Sequence, residues 1–438
     1  MRDSVALQRY LQRHTEPGLP RHDFSVAAWD QVLVVPAYRE SPALLDTLRQ
    51  LPAGQRRTLV ILVLNRPDSD GDTGANAALR RASAERGTAL VQRCSVPVYP
   101  LNPHADLYLH DLEMQRGPNP AAQGVGLARK SGFDLALQWM AAGGISGRWL
   151  CSTDADATLP PDYFQQLDGI APEAVAAVFP FRHVPGSEPS CDAATALYEL
   201  RLHHHVLGLE YAGSPYAHHA LGSCLAVRAD AYAQVRGFPK RGGAEDFYLL
   251  NKLAKIGPIA RSRGGTVRLA SRRSCRVPFG TGPGVAAILA AGRPEAAAVF
   301  YHPLCYAALR ALLACIPTLA PAPGQELTAL LVGRGLDAAL ARRASAALDA
   351  MGLHAALAHC ARQSRSNAQF LRQFHQWFDA FRTLKLIHAL RDGGWPQQSL
   401  TQLVRLSPQL WPGPMQSPQA VEELRMHLAD HWGWQWQD

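Results

Sequence analysis

An α/β fold, doubly wound about a mostly parallel sheet flanked by helices and followed by a C-terminal α-helical region, is what this 438-residue sequence predicts. Three observations lead there: short apolar runs rich in β-branched residues, helical patterns placed between them, and a change near Gly282 to alanine- and leucine-rich sequence with helical spacing.

Residues 31–35 (QVLVV) form a continuous apolar run, the mark of a strand buried on both faces, and Pro36 is expected to stop it. Ser41 is placed to cap the next helix and Pro42 to occupy its first position, with Leu44, Leu45, Leu48 and Leu51 on one face. Residues 58–64 (TLVILVL) repeat the strand and residues from 75 onward the helix. A third helix fits 125–142, closed by Gly143 and Gly144, and leads into a strand at 148–153 that stops at Asp154. Residues 175–181 and 223–228 also read as strands. Residues 245–256 read as a helix with Leu249, Leu250, Leu253 and Ile256 on its buried stripe.

Beyond residue 282, Phe370, Phe374, Trp377, Phe381 and Leu384 recur at four-three spacing and read as core of a helical region. The predicted organisation is a helical extension at 1–29, an α/β domain at 30–282 and a helical region at 283–438.

A hydrophobic content of 47% with 18% charged residues describes an ordinary globular protein that can bury a core, so disorder is not the default. The net charge of +8 comes from arginines scattered without a block, which speaks against nucleic acid as a partner but suits phosphate-bearing ligands. The eight cysteines (Cys94, Cys151, Cys191, Cys224, Cys275, Cys305, Cys315 and Cys360) form no C-x-x-C pair, so they read as buried thiols in a reducing cytoplasm rather than a zinc or dithiol site. No signal-peptide pattern and no apolar run of about 18 residues occurs, so no transmembrane helix is expected and only peripheral membrane contact stays open.

The most informative stretch is CSTDADATLPPDYF, residues 151–164. Asp154 and Asp156 flank Ala155 directly after a predicted buried strand, where ligands bind in open α/β sheets. Two carboxylates so spaced can converge on one hard cation, Mn²⁺ or Mg²⁺, and leave positions for diphosphate oxygens. A D-x-D alone equally suits a capped loop.

The ordered set VVPAYRE (34–40), GVGLARKSGFDLA (124–136), STDADATLPPDYF (152–164) and GGAEDFYLLNKLAKIG (242–257) resembles the family 2 glycosyltransferases of the GT-A fold, over roughly residues 30–282. The resemblance implies a GT-A-like catalytic domain that uses a nucleotide-diphosphate sugar, UDP- or GDP-linked, with an acceptor that the residues leave unidentified. Pro36, Ala37, Tyr38 and Glu40 match the loop that holds base and ribose. Arg129 and Lys130 match the basic helix start that approaches the nucleotide or its phosphates. Asp154 and Asp156 match the metal-binding pair, with Asp154 also beside the nucleotide sugar. Asp246, preceded by Glu245, matches the catalytic base of the inverting members. In place of the family's acidic turn after the second strand, this chain has LNRPDSDGD (64–72), where Asn65 can replace the contact to the base.

A base is chemically apt at Asp246, because a sugar hydroxyl is a poor nucleophile until a carboxylate takes its proton. Three other features weigh less. Gly124-Val125-Gly126 resembles the start of a dinucleotide fingerprint, yet Arg129 stands at the third glycine and no strand precedes it. His203, His204 and His205 would point about 100° apart on a helix and cannot share one ion, and they read, with His218 and His219, as satisfied or exposed side chains. Arg272, Arg273 and Arg276 stand in a glycine-rich segment that suits either a loop folding over the diphosphate or a basic turn.

The expected reaction is a metal-dependent transfer with inversion. The alternatives are a retaining transferase resembling the mannosylglycerate and glucosylglycerate synthases, or a non-catalytic scaffold whose helical region binds a partner or a membrane surface.

Overall fold

The structure is a computed structural model, and it describes residues 5–52, 56–85, 89–90, 96–274, 280–293, 296–319, 326–406 and 421–435. The chain forms two compact units, one made of Met1–Asp192, Ala220–Gly284 and Trp432–Asp438, the other of Ala193–His219 and Val285–His431.

The strands, in chain order, are β1 (Gln31–Ala37), β2 (Thr58–Leu64), β3 (Ala89–Leu90), β4 (Pro97–Asn102), β5 (Ala105–Asp111), β6 (Trp149–Ser152), β7 (Ala157–Thr158), β8 (Ala176–Val178), β9 (Phe181–Val184), β10 (Leu225–Arg228), β11 (Ile259–Arg261), β12 (Gly264–Gly265), β13 (Val267–Ala270) and β14 (Trp434–Gln435). The helices begin with α1 (Val5–Arg13), α2 (Ala43–Arg49), α3 (Ala77–Glu85), α4 (Leu112–Arg116), α5 (Gly124–Ala142), α6 (Pro189–Tyr211), α7 (Ala229–Gln234) and α8 (Glu245–Leu253).

The first unit is a nine-stranded sheet in the order β11-β8-β10-β6-β1-β2-β5-β4-β3. Only β4 and β10 run against the other seven strands, so the sheet is mostly parallel, as the alternation of apolar runs and helices predicts. Along β1 and β2 the residues of both faces are buried: Val32, Val34, Leu59, Ile61 and Val63 join the core that includes Phe133, Leu137 and Trp139 of α5, and Leu33, Val35, Val60 and Leu62 are buried on the other side. Each such side chain contributes roughly 1.5–3 kcal/mol relative to leaving it exposed, which is why the least polar strands take the centre.

Chain order reverses at β1, with β2 on one side and β6 on the other. In open α/β sheets such a reversal is where ligands bind, in the crevice at the carboxyl ends of the strands, which here are β1 and β6. Pairing with β6 stops at Val34↔Ser152, so β1 continues through Pro36 to Ala37 with no ladder bond lost on that side. This corrects the expectation that Pro36 ends the strand. Similarly, the stretch 175–181 is not one strand: β8 lies in the large sheet, while β9, after Phe179 and Pro180, pairs with β13 in a small sheet of order β7-β13-β9.

Helix α5 lies on β1, β2 and β6 with little room to spare. A Cβ at Gly132 would stand 2.4 Å from Val34 Cγ1, and one at Gly126 would stand 2.6 Å from the carbonyl oxygens of both Pro239 and Arg241. The glycines at the start of α5 thus admit protein backbone, and a dinucleotide fingerprint is not needed to explain them. Gly126→Ala is expected to destabilise the protein by about 1–3 kcal/mol, the usual cost of overpacking. Urea denaturation followed by tryptophan fluorescence measures it, and an unchanged midpoint would contradict the close approach.

The second unit is helical in its described residues. It takes in most of α6 together with α10 (after α9, Thr281–Ala290), which spans Pro303–Leu319, then α11 (Leu327–Gly333), α12 (Ala338–Ala350), α13 (Leu353–Gln363), α14 (Asn367–Trp377), α15 (Ala380–Asp392), α16 (Leu400–Leu406) and α17 (Val421–Trp432). Phe370 and Phe374 are core residues, but α14 ends at Trp377 and Asp379 caps α15 by accepting the Arg382 N–H. Phe381 is 39% exposed, so the four-three spacing is not a single buried stripe.

His203 and His204 are fully buried and bonded within this unit, His203 Nδ1 to His219 Nε2 at 2.9 Å and His204 Nε2 to the Tyr301 carbonyl at 3.0 Å. Cys151, Cys191, Cys224, Cys305, Cys315 and Cys360 are buried free thiols, while Cys94 and Cys275 lie outside the described residues. Among the described residues no helix is long and apolar enough to cross a membrane.

Candidate active site

The carboxyl end of β6 carries the first of the predicted acidic residues. The Thr153 N–H donates to the Val34 carbonyl at 3.2 Å, which keeps the chain beside β1 for one residue past the strand. Asp154 follows, with its side chain 39% exposed. Asp156 precedes β7, and because β7 pairs with β13, Arg272 just past β13 reaches it, Nε at 2.8 Å and Nη2 at 2.6 Å from Oδ2. Arg273 pairs instead with Glu188, and Arg276 lies outside the described residues.

Arg129, one turn into α5, is only 3% exposed and is satisfied by protein on every side. Its Nε donates to Glu245 Oε1 at 2.9 Å, Nη1 to the Gly222 carbonyl at 3.0 Å and to Ser152 Oγ, and Nη2 to Asp154 Oδ1 at 2.5 Å. Burial works against its charge, but Asp154, Glu245 and Asp246 together hold it protonated.

Asp246 stands in the first turn of α8, which packs against α5. The residue before the helix pair, Ala244, has φ of 58°, a left-handed conformation that costs a non-glycine residue about 1–2 kcal/mol and sets the direction in which Glu245 and Asp246 enter the helix. Glu245 is buried and bound by Arg129, whereas Asp246 is partly buried. Burial raises the Asp246 carboxyl to about 7, the Glu245 carboxylate adds to the rise, and Arg129 with backbone hydrogen bonds from Phe247 and Gly222 opposes it. A carboxylate poised near neutrality is suited to taking a proton.

The loops after β1 and β2 are tied together. Tyr38 Oη donates to Asp70 Oδ2 at 2.6 Å, and Arg39, itself left-handed with φ of 55°, donates Nε and Nη2 to the same carboxylate at 2.9 and 2.8 Å. Arg39 and Tyr38 hold the Asp70 carboxyl well below the usual carboxylate range. The Asn65 N–H donates to the Ala37 carbonyl at 3.1 Å, and its own carbonyl accepts from Asn76 Nδ2. Pro36 and Ala37 therefore end β1 beside Asn65 at the end of β2, with Tyr38 and Glu40 partly exposed in the loop beyond.

Lys130 is placed apart from these groups. Its ammonium donates to Tyr10 Oη, the His14 carbonyl and Asp134 Oδ2, each at 2.8 Å, so its charge serves to dock α1. Asp70, Gly222 and the Arg272 partner of Asp156 were not singled out from sequence for these places. For Asp70 the signal was the acidic run 68–72 itself; for Gly222 nothing local distinguishes it.

Asp154 and Asp156 carry oxygen donors of the kind a hard divalent ion takes. Asp154 accepts Arg129 at one oxygen and is exposed enough to present the other, while Asp156, two residues on, is held at Oδ2 by Arg272. Among the described residues no group of three or more His, Cys, Asp or Glu side chains could hold a metal. One or two carboxylates completed by phosphate oxygens are what Mg²⁺ requires, and Mn²⁺ prefers the same ligands.

No protein-family model matches the chain, and no curated protein matches it. Solved structures do. The chain is similar to the mannosyltransferase PcManGT from Pyrobaculum calidifontis, in complex with GDP-Man and Mn²⁺, at 18% identity over 89% of this chain and 95% of that one, with a TM-score of 0.36. It is similar to TarS of S. aureus at 14% identity over 79% of this chain and 55% of that one, with a TM-score of 0.33. It is also similar to glucosyl-3-phosphoglycerate synthase from Mycobacterium tuberculosis, in complex with Mn²⁺, UDP and glucosyl-3-phosphoglycerate, at 14% identity over 61% and 81%, with a TM-score of 0.33. With scores this low the likenesses carry no weight for function, which rests on the side-chain arrangement described above.

Proposed function

We propose that the first unit transfers a sugar from a nucleoside diphosphate to an acceptor hydroxyl, with Mn²⁺ or Mg²⁺ as cofactor and inversion at the anomeric carbon. The observation that carries this reading is that Arg129 joins Asp154, at the crevice end of β6, to Glu245, the neighbour of the raised Asp246 carboxyl. A carboxylate suited to a hard cation and one suited to accepting a proton thus share one site.

Pro36, Ala37, Tyr38, Glu40 and Asn65 are assigned to the base and ribose, since they line the ends of β1 and β2. Asp154 and Asp156 are assigned to the metal, which when bound neutralises charge on the departing diphosphate. Asp246 takes the acceptor proton at a carboxylate oxygen as the acceptor oxygen attacks the anomeric carbon. The bond to the diphosphate breaks on the opposite side, and the nucleoside diphosphate leaves with its electron pair. Arg129 and Lys130, whose donors are spent within the protein, are not assigned to the nucleotide.

A melting-temperature screen with UDP- and GDP-sugars, with and without Mn²⁺, tests the assignment. At a free ligand concentration of about 100 times Kd the gain is roughly 2.7 kcal/mol, which a thermal scan resolves. The stabilising donor should then be transferred with release of nucleoside diphosphate, and NMR of the product should show inversion. A chain that no donor stabilises would be a non-catalytic scaffold.

A further inference from the structure

Arg129 is the point at which three segments remote in sequence meet: the end of β6 through Ser152 and Asp154, the turn at Gly222, and α8 through Glu245. Its guanidinium cannot turn toward a diphosphate without abandoning these partners inside the protein, and an unpaired buried charge is strongly unfavourable. Gly222 closes the arrangement from both sides, since its carbonyl accepts from Arg129 and its backbone also hydrogen-bonds Asp246. A Cβ at that position would stand 2.5 Å from Arg129 Nη2, so no other residue leaves the guanidinium where it is.

We propose that Arg129 is a positioning residue: it fixes the donor-side carboxylate Asp154 relative to the acceptor-side helix α8, and it does not touch the nucleotide. The role rests on the glycosyltransferase reading of the site. It requires the planar fork of arginine, whose donors point in several fixed directions, and a lysine ammonium is a single point that cannot span the same partners. Lys130, next along α5, is turned to Tyr10 and Asp134 and so cannot substitute.

The split between kcat and KM tests it. Arg129→Lys should lower kcat about 10- to 100-fold, as expected when charge-assisted hydrogen bonds that hold reacting groups are lost, while donor KM stays within about threefold. Gly222→Ala, which displaces the guanidinium but keeps its charge, should give the same kcat-selective loss and serves if Arg129→Lys fails to fold by circular dichroism. A donor KM that rises about tenfold or more with kcat retained would place Arg129 on the nucleotide and overturn the proposal. Two folded variants with wild-type kinetics would overturn it as well. A wild type inert toward every donor would instead defeat the glycosyltransferase reading itself, a different signature from an active wild type with indifferent variants.

Discussion

Asp246→Asn is expected to lower kcat about 10²- to 10⁴-fold, the usual contribution of a positioned general base, while leaving nucleotide and metal binding intact. The pH dependence follows from the direction of its shift. Because the carboxyl is raised to about 7, the fraction able to accept a proton falls as pH drops below that value. Wild-type kcat/KM should therefore climb about tenfold per pH unit on the acid side and level off above neutrality. Initial rates across pH 5 to 9 measure this, and a profile flat through neutrality would remove Asp246 from the role.

The same residue should weaken the fold. Its folded-state pKa lies above the unfolded carboxylate value, so the native state keeps a proton that the unfolded state has lost, and its stabilising contribution at low pH disappears as pH rises to about 7. Asn carries no such charge. The inactive variant should melt at or above the wild-type temperature at pH 8, the pattern of a group kept for chemistry at the expense of stability.

Asp154→Ala is expected to lower kcat about 10³-fold or more, since metal stabilisation of the leaving group amounts to several kcal/mol. Activity that remains should no longer respond to Mn²⁺. Arg129 would lose one of its partners, so stability should also drop by about 1–3 kcal/mol. Asp154→Asn keeps an oxygen at the Arg129 contact and should recover much of that stability without the activity. Steady-state rates with a manganese titration, alongside chemical denaturation, separate the two effects.

The sheet was readable where a single physical cause dominates. Residues 31–35 and 58–64 are apolar without interruption because both faces of β1 and β2 are covered, and Gly143 closes α5 in the left-handed conformation expected of such a glycine. The acidic residues at the crevice were readable for a related reason, since a parallel sheet directs strand ends to one edge and Asp154 follows β6 there.

What could not be read depends on partners far away in sequence. Arg129 has Asp154 and Glu245 as partners, separated from it by 25 and 116 positions, and the charge pattern of α5 alone does not distinguish an arginine bound to protein from one awaiting a phosphate. The same holds for Lys130, whose partner Tyr10 comes from α1, 120 positions earlier. Local chemistry also misled along the helices. The four-three spacing at 370–384 runs across a helix break that Asp379 caps, and Ser41 was expected to cap α2, which starts at Ala43 with no side-chain cap. Nor did composition near residue 200 indicate that Ala193–His219 groups with the later helices, or that Trp434–Gln435 pairs with Gly264–Gly265.

The most direct measurement is calorimetric titration of UDP and GDP, with Mn²⁺ present, into wild type, Asp154→Ala and Asp246→Asn. Wild type and the Asp246 variant should bind one of these nucleotides with similar affinity, and the Asp154 variant should lose manganese-dependent binding. Equal, metal-independent binding by all three proteins would contradict the account.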